Sequence, residues 1–255
     1  MSRTSAILLV VAVSLTTPAL MSFWPGWAQS NAQTLTFAWA LAGLVALAAV
    51  SDGRMTPWFA RLGGRLFFGS GRGLWVSLLF TLLLIAASGF WAQRLIDGKL
   101  ITDNAFYSML LLFIVVLAPW EELWWRGVWF AAATKKYWAQ VLLGSLLFAL
   151  GHAHRLFENF AGWDQLLFEN EEGWKQLAVL LLSGIAFASL RRAGAPLVLL
   201  MMLHGFANVS VRLTSLAPDS DVLLINATTI AMGLMALIAI ASGFGKSRYD
   251  PAPNN

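Results

Sequence analysis

Apolar runs close to the length of a membrane-spanning helix recur along this 255-residue chain. About 20 mostly apolar residues cross the hydrocarbon core of a bilayer, and eight segments approach that length. These segments are residues 5–22, 33–50, 74–92, 105–130, 137–154, 176–191, 195–213 and 222–243. The pattern therefore predicts an all-α, polytopic membrane protein with about eight transmembrane helices.

The composition excludes most other classes of protein. Hydrophobic residues make up 58% of the chain and charged residues only 12%, whereas a soluble domain carries about a quarter charged residues. The same apolar excess excludes a disordered chain. The chain has no cysteine, which excludes a disulfide scaffold, a cysteine-ligated metal and a thiol nucleophile. The net charge of +4 fits basic loops beside a membrane, so we expect a lipid bilayer and no nucleic acid as partner.

The positions of the basic residues predict the orientation, because loops rich in Lys and Arg stay in the cytoplasm. With the N-terminus inside, twelve of the seventeen Lys and Arg residues lie on the cytoplasmic side. We therefore expect both termini in the cytoplasm, in the inner membrane of a bacterium. The first segment resembles a signal peptide, but its apolar run continues to Trp24 with no small-residue cleavage site. We expect it to be a retained helix.

Two connecting segments have a character of their own. Residues 54–73 mix arginine with large apolar residues, a pattern typical of an amphipathic helix at a membrane surface. Residues 155–175 are acidic and aromatic and contain Leu-Phe-Glu-Asn twice, which indicates an amphipathic surface helix or a lid. Neither segment has the length of a soluble domain. The sequence therefore predicts one integral membrane domain over residues 1–255.

Ionisable residues inside apolar segments are costly in lipid and usually mark a functional site or a paired structural bridge. The fourth segment contains Glu121, Glu122 and Arg126. The i,i+4 spacing allows Glu122 to pair with Arg126 on one helix face, whereas Glu121 points about 100° away and has no local partner. A structural ion-pair network remains the alternative, mainly for Glu122 and Arg126.

The fifth and seventh segments supply three polar candidates. His152 lies one turn after Phe148, while His154 faces roughly the opposite side of a helix. His204 and Asn208 are one turn apart on one face of the seventh segment. Taken alone, this last pair could be an interhelical hydrogen-bonding pair, and a single histidine at a helix end is usually a polar cap.

These candidates lie at similar depths in the predicted membrane. Glu121 and His152 are each roughly 22 Å along a helix from the turn between the fourth and fifth segments, and His204 is roughly 18 Å from the same membrane face. We expect a polar cavity between the fourth, fifth and seventh helices, in the outer half of the bilayer and open to the extracytoplasmic side. A carboxylate and an imidazole can deprotonate a water molecule, while an imidazole and a carboxamide can stabilise an oxyanion.

The three motifs resemble those of the CPBP family, the intramembrane endopeptidases that process CAAX proteins and bacteriocins. They are Glu121-Glu122-Leu-Trp-Trp-Arg126, Phe148-Ala-Leu-Gly-His152 and His204-Gly-Phe-Ala-Asn208, in this order. The resemblance covers a core of residues 105–213. Four tryptophans crowd the first motif, which the short family pattern does not require: Trp120, Trp124, Trp125 and Trp129.

The resemblance implies a role for each motif residue. Glu121 would be the general base and His152 its partner in activating water. His204 and Asn208 would be the oxyanion donors, with Glu122, Arg126 and Phe148 in support. The implied activity is hydrolysis of a peptide bond near the C-terminal membrane-associated segment of a protein. The substrate would be a prenylated CAAX tail, a bacteriocin leader or a C-terminal sorting helix.

Other functions stay open from the residues alone. Glu121, His152 and His204 could instead hold a zinc ion, although the chain lacks the His-Glu-x-x-His motif of many zinc proteases, and we predict no cofactor. A non-enzymatic immunity or binding protein would not need a base, an imidazole and two donors together. A proton-coupled transporter would be expected to show an internal repeat or broken helices, which the sequence does not contain.

Overall fold

The computed structural model describes residues 3–23, 69, 71–98, 108, 111–134, 136–152, 171–218 and 221–244, and its regular elements there are all helical. The α-helices are α1 (Arg3–Phe23), α2 (Gly71–Asp97), α3 (Ala118–Glu122), α4 (Trp129–Ala132), α5 (Gly144–Gly151), α6 (Glu171–Arg192), α7 (Leu197–Thr214) and α8 (Val222–Gly243). The wider π-helical segments are Phe113–Leu117, Leu123–Val128 and Trp138–Leu143. This part of the chain confirms the all-α class.

Three of the described helices are long and apolar enough to cross a membrane, namely α2, α7 and α8. They correspond to the predicted spans 74–92, 195–213 and 222–243. Shorter apolar helices cover Thr4–Thr16 and Trp138–Gly151. The predicted span 33–50 lies outside the described residues, as do residues 54–68 and 155–170 of the two amphipathic segments. The helices support an integral membrane protein, while eight spans remain a prediction.

The helices belong to two compact units. The first unit comprises Met1–Gly63, Trp124–Ala188 and Pro251–Asn255, and the second comprises Gly64–Leu123 and Ser189–Asp250. In the first unit α1 packs against α4 and α5, and the indole N–H of Trp125 donates to Ser14 Oγ at 3.1 Å. In the second unit α2 packs against α7 and α8.

Side-chain hydrogen bonds join the three long helices of the second unit. The hydroxyls of Ser88 on α2 and Ser210 on α7 lie 2.8 Å apart. The indole N–H of Trp91 donates to Thr228 Oγ1 on α8 at 3.2 Å. A buried apolar cluster surrounds these contacts and comprises Trp91, Leu95, Val209 and Leu213. Because polar groups between helices have few competing partners in lipid, such contacts stabilise one helix arrangement.

A tight turn connects α6 to α7 and sets where α7 begins. Gly194 has a φ of 103°, a left-handed conformation that glycine adopts without steric cost. The N–H of Ala195 donates to Leu190 O at 3.0 Å, and the N–H of Gly194 donates to Arg191 O at 3.1 Å. These two bonds form a Schellman motif, which ends α6. Pro196 follows in an extended conformation and cannot continue the helix, so α7 starts at Leu197.

Candidate active site

The two glutamates of the first motif lie between two π-helical segments. Glu121 and Glu122 end the short helix α3, which Phe113–Leu117 precedes and Leu123–Val128 follows. The backbone stays helical at the junctions, with φ and ψ near −69° and −53° at Leu117 and −58° and −44° at Leu123. π-Helical turns are rare and occur often at functional sites. Their presence on both sides of α3 marks this segment as a candidate site.

His204 on α7 faces both glutamates of α3. Its Nδ1 lies 2.8 Å from Glu122 Oε1, and its Nε2 lies 3.4 Å from Glu121 Oε2. Glu122 is fully buried, while Glu121 and His204 are 6% and 5% exposed. One imidazole can reach both carboxylates because consecutive helical side chains diverge by about 100° and its two nitrogens lie on opposite sides of the ring. The second unit therefore brings together three of the predicted residues.

A close helix contact positions His204. The next residue, Gly205, packs against the π-helical segment Phe113–Leu117. A Cβ atom at Gly205 would lie 2.9 Å from the Cα atom of Ile114, closer than side chains approach in practice. The glycine therefore allows α7 to lie near the chain that leads into α3. This glycine stands inside the third motif, although the sequence alone gives it no role.

Asn208 lies one turn after His204 and is partly buried. Its Nδ2 atom is buried and has no hydrogen-bond partner among the residues that the structure describes. A buried amide N–H without a partner costs about 1–3 kcal/mol. Such a donor is suited to an oxygen atom that arrives with a substrate.

In the first unit, Phe148 is in contact with His152 of its own motif and with Arg126 of the first motif. The ring centroids of Phe148 and His152 are 4.2 Å apart, and the guanidinium carbon of Arg126 lies 4.2 Å from the Phe148 ring centroid. This last contact is a cation–π interaction, which gains strength when it is buried, as it is here. The Arg126 side chain also donates to Gly184 O at 3.4 Å.

His152 caps the C-terminus of α5 and is buried. Its Nδ1 lies 2.8 Å from Phe148 O. Because a carbonyl oxygen can only accept a hydrogen bond, Nδ1 is the donor in this contact. The ring is also in contact with Trp125, whose centroid is 5.5 Å away. A hydrogen bond and two aromatic contacts therefore hold the imidazole ring in place.

Trp125 also supports the candidate site. From the sequence alone it is only one of the four tryptophans that crowd the first motif. Its ring meets Phe148 edge-on at a centroid distance of 5.3 Å, in addition to the contact with His152. Gly151 makes room for it, because a Cβ atom there would lie 2.5 Å from Trp125 Cζ2. Trp125 therefore supports the two aromatic residues of the second motif. The only signal in the sequence was its place inside the first motif.

The predicted site residues thus form two groups, each within its own unit. Glu121, Glu122 and His204, with Asn208 one turn along α7, belong to the second unit, and Arg126, Phe148 and His152 belong to the first. His154 lies outside the described residues. Within the described ranges, no group of three or more His, Asp or Glu side chains has an arrangement that could hold a metal ion. The proposed cavity between the fourth, fifth and seventh helices stays a prediction.

Buried carboxylates that face an imidazole are suited to acid–base chemistry, and here they lie in a chain whose described elements are all helical and include three helices long and apolar enough to span a membrane. Residues 103–210, less than half of the chain, match the model of a family described as "Type II CAAX prenyl endopeptidase Rce1-like". No curated protein and no solved structure matches the chain. The family match confirms the resemblance of this segment to the CPBP, or CAAX-protease, family.

Proposed function

We propose that this protein is an intramembrane endopeptidase. It hydrolyses a peptide bond near the C-terminal membrane-associated segment of a protein substrate. The observation that carries the proposal is the imidazole of His204 lying against Glu121 and Glu122, within the segment that matches the CAAX-protease family. Two buried carboxylates are costly in an apolar environment, so their retention favours a chemical role.

Glu121 acts as the general base in this proposal. Its carboxylate takes a proton from a water molecule, and the water oxygen attacks the scissile carbonyl carbon. The resulting tetrahedral intermediate carries its negative charge on the former carbonyl oxygen. When it collapses, the peptide C–N bond breaks and the proton held by Glu121 passes to the leaving amine. No covalent intermediate with the protein is needed, in agreement with the absence of cysteine.

His152 assists Glu121 by binding the attacking water. Its Nδ1 hydrogen is donated to Phe148 O, so Nε2 can accept a hydrogen bond from that water. Contacts with Phe148 and Trp125 hold the ring plane. A preorganised acceptor of this kind aligns the water oxygen for attack without reorganisation at the moment of reaction.

His204 and Asn208 donate to the oxyanion. Nε2 of His204 and Nδ2 of Asn208 are one helical turn apart on α7, and the Asn208 amide has no protein partner within the described ranges. Donors that meet a developing oxyanion in a water-poor site are each worth about 10²–10³ in kcat. The Nε2 contact with Glu121 opens when the carbonyl oxygen of a substrate arrives between these groups.

The test uses the purified full chain in lipid nanodiscs with three synthetic substrates: a prenylated CAAX peptide, the same peptide without its prenyl group, and a C-terminal sorting helix. Mass spectrometry of the released fragments gives both the activity and the cleaved bond. We expect Glu121→Gln to abolish cleavage while folding is retained, because glutamine keeps the size of glutamate but cannot take the proton. A Glu121→Gln protein with wild-type turnover would disprove the general-base role.

The pair of histidines in the second motif provides a matched control. We expect His152→Ala to inactivate the enzyme and His154→Ala to be tolerated, because only His152 has the spacing from Phe148 that the motif requires. An active His152→Ala protein beside an inactive His154→Ala protein would transfer the role to His154.

We further propose the orientation with both termini in the cytoplasm. In this orientation the end of α2 that carries Arg94, which contacts Asp221 just before α8, faces outward. The chain has no cysteine, and single cysteines at Asp97 and at Arg72 therefore report the two ends of α2. A membrane-impermeant maleimide added to intact cells should label the first and not the second. The opposite labelling would reverse the topology.

A further inference from the structure

Glu122 has a partner that the sequence did not reveal. The i,i+4 spacing predicts a bridge to Arg126, and the structure in addition places Glu122 Oε1 2.8 Å from Nδ1 of His204, 82 residues further along the chain. This distance is typical of a hydrogen bond with a charged partner. Both side chains are buried, so water does not compete for the contact.

The contact determines which ring nitrogen of His204 carries a hydrogen. An ionised carboxylate can only accept hydrogen bonds, so Nδ1 is the donor to Glu122. The remaining nitrogen, Nε2, then points toward Glu121 Oε2 at 3.4 Å. Without the carboxylate of Glu122, the neutral ring could place its single hydrogen on either nitrogen, and nothing in this contact would fix the ring plane.

We infer that Glu122 is a positioning residue for His204, holding the Nδ1 hydrogen so that Nε2 is the nitrogen presented to the substrate. This inference rests on the proposed function. For Nε2 to donate to an oxyanion while Nδ1 donates to Glu122, the ring must carry both hydrogens. The 2.8 Å contact with Glu122 holds the hydrogen on Nδ1 and fixes the plane of the ring.

The inference also explains why two adjacent glutamates are needed. Side chains at consecutive helical positions diverge by about 100°, so one carboxylate can orient the imidazole while its neighbour faces the second nitrogen. A single glutamate could not do both. Glu121 keeps the reactive role and Glu122 the orienting role, although their side chains are chemically identical.

Nitrogen NMR tests the positioning role of Glu122 directly, because the chemical shift of a ring nitrogen depends on whether that nitrogen carries a hydrogen. The chain contains three histidines, so selective ¹⁵N labelling of histidine gives few signals, and His152 and His154 substitutions assign the one from His204. The variants are Glu122→Leu, which removes the acceptor, and Glu122→Gln, whose carbonyl still accepts a hydrogen bond but carries no charge. Asp97→Asn, at an exposed carboxylate on α2, is the matched control.

We expect the wild type to show a hydrogen on Nδ1 of His204. Glu122→Leu should lose this state and lower kcat by up to about 10²–10³, the effect of losing one oxyanion donor, with little change in KM. Glu122→Gln should keep the Nδ1 hydrogen and show a smaller loss of kcat, and it serves as the readout if the leucine variant does not fold. Asp97→Asn should match the wild type in both measurements.

Two results would overturn the inference. One is an unchanged His204 spectrum in Glu122→Leu, which would remove the positioning role whatever the activity. The other is full kcat in a Glu122→Leu protein whose His204 spectrum has changed. A wild-type protein that cleaves none of the three substrates would instead count against the proposed function, and the spectrum would still report the contact between Glu122 and His204. The two failures are therefore distinguishable.

Discussion

A methyl group at Gly205 should disturb the site through packing alone. The glycine follows His204 on α7, and an added Cβ atom would meet Ile114 at 2.9 Å from Cα, 3.3 Å from Cγ1 and 3.4 Å from Cβ. The nearest of these atoms belongs to the backbone, so a change of side-chain rotamer cannot relieve the clash. Gly205→Ala therefore requires α7 and the segment Phe113–Leu117 to move apart.

The size of that movement can be worked out from the contact. Carbon atoms pack best at about 3.5–4.0 Å, so the backbones must separate by about 0.6 Å or more. Overpacking of this kind costs about 1–3 kcal/mol, and the higher helix propensity of alanine returns up to about 1 kcal/mol. If the movement reaches His204, its 2.8 Å contact with Glu122 lengthens beyond the usual range of about 2.7–3.2 Å. We therefore expect a small loss of stability and a larger loss of kcat, about tenfold or more.

Thermal unfolding in detergent and the cleavage assay measure the two effects separately. Gly233 on α8 and Gly89 on α2 are matched controls, because a Cβ atom at either position meets nothing within 4 Å. Their alanine variants should keep wild-type kcat, with stability unchanged or raised by up to about 1 kcal/mol. A Gly205→Ala protein with wild-type Tm and kcat would show that this close approach does not position His204, and the packing argument would be wrong.

Three further predictions address contacts and metal dependence. Ser88→Ala and Ser210→Ala, combined in a double-mutant cycle of unfolding free energies, should give a coupling of about 0.6 kcal/mol, the mean for such bonds between membrane helices; a coupling of zero would show that the 2.8 Å contact contributes nothing. The Arg94 guanidinium holds the pKa of the Asp221 carboxyl below its ordinary value through a hydrogen bond, so this stabilisation is present above the unfolded pKa of about 3.9 and is lost as pH falls through the lower folded pKa. The wild-type Tm should therefore drop on acidification through that range, and Asp221→Asn should lack this part of the drop; equal acid profiles would contradict the reasoning. Extensive chelation should leave cleavage unchanged, whereas stoichiometric zinc whose removal stops activity and whose return restores it would favour the metalloprotease alternative.

The purely apolar helices could be predicted from the sequence and the charged ones only in part. The span predicted at 222–243 coincides with α8, and that at 195–213 differs from α7 by one or two residues at each end. Helix α2 extends past the predicted 92 to Asp97, because its last turn is polar and helical geometry does not require apolar residues. Helix α6 begins at Glu171, inside the predicted surface segment 155–175, for the same reason.

The contacts of the candidate site could be predicted from the sequence only in part. Spacing and depth predicted that Glu121 and His204 would lie near each other, and their side chains are 3.4 Å apart. The contact of His204 with Glu122 could not be predicted, because it depends on the rotation of α7 about its axis and on its close approach at Gly205. Rules of helical spacing identify partners on the same helix, such as Arg126 for Glu122, and carry no information about a partner 82 residues away.

The two buried histidines are held in the same way but by different acceptors. The Nδ1 atom of His152 bonds to a backbone carbonyl, and that of His204 bonds to the Glu122 carboxylate. In both residues this bond fixes the plane of the ring and leaves Nε2 for the proposed contact with water or with the oxyanion. A backbone carbonyl is supplied by any residue at position 148, whereas the acceptor for His204 is a side chain. Substitution of Glu122 can therefore change the position of His204 in the proposed reaction, although Glu122 does not touch the substrate.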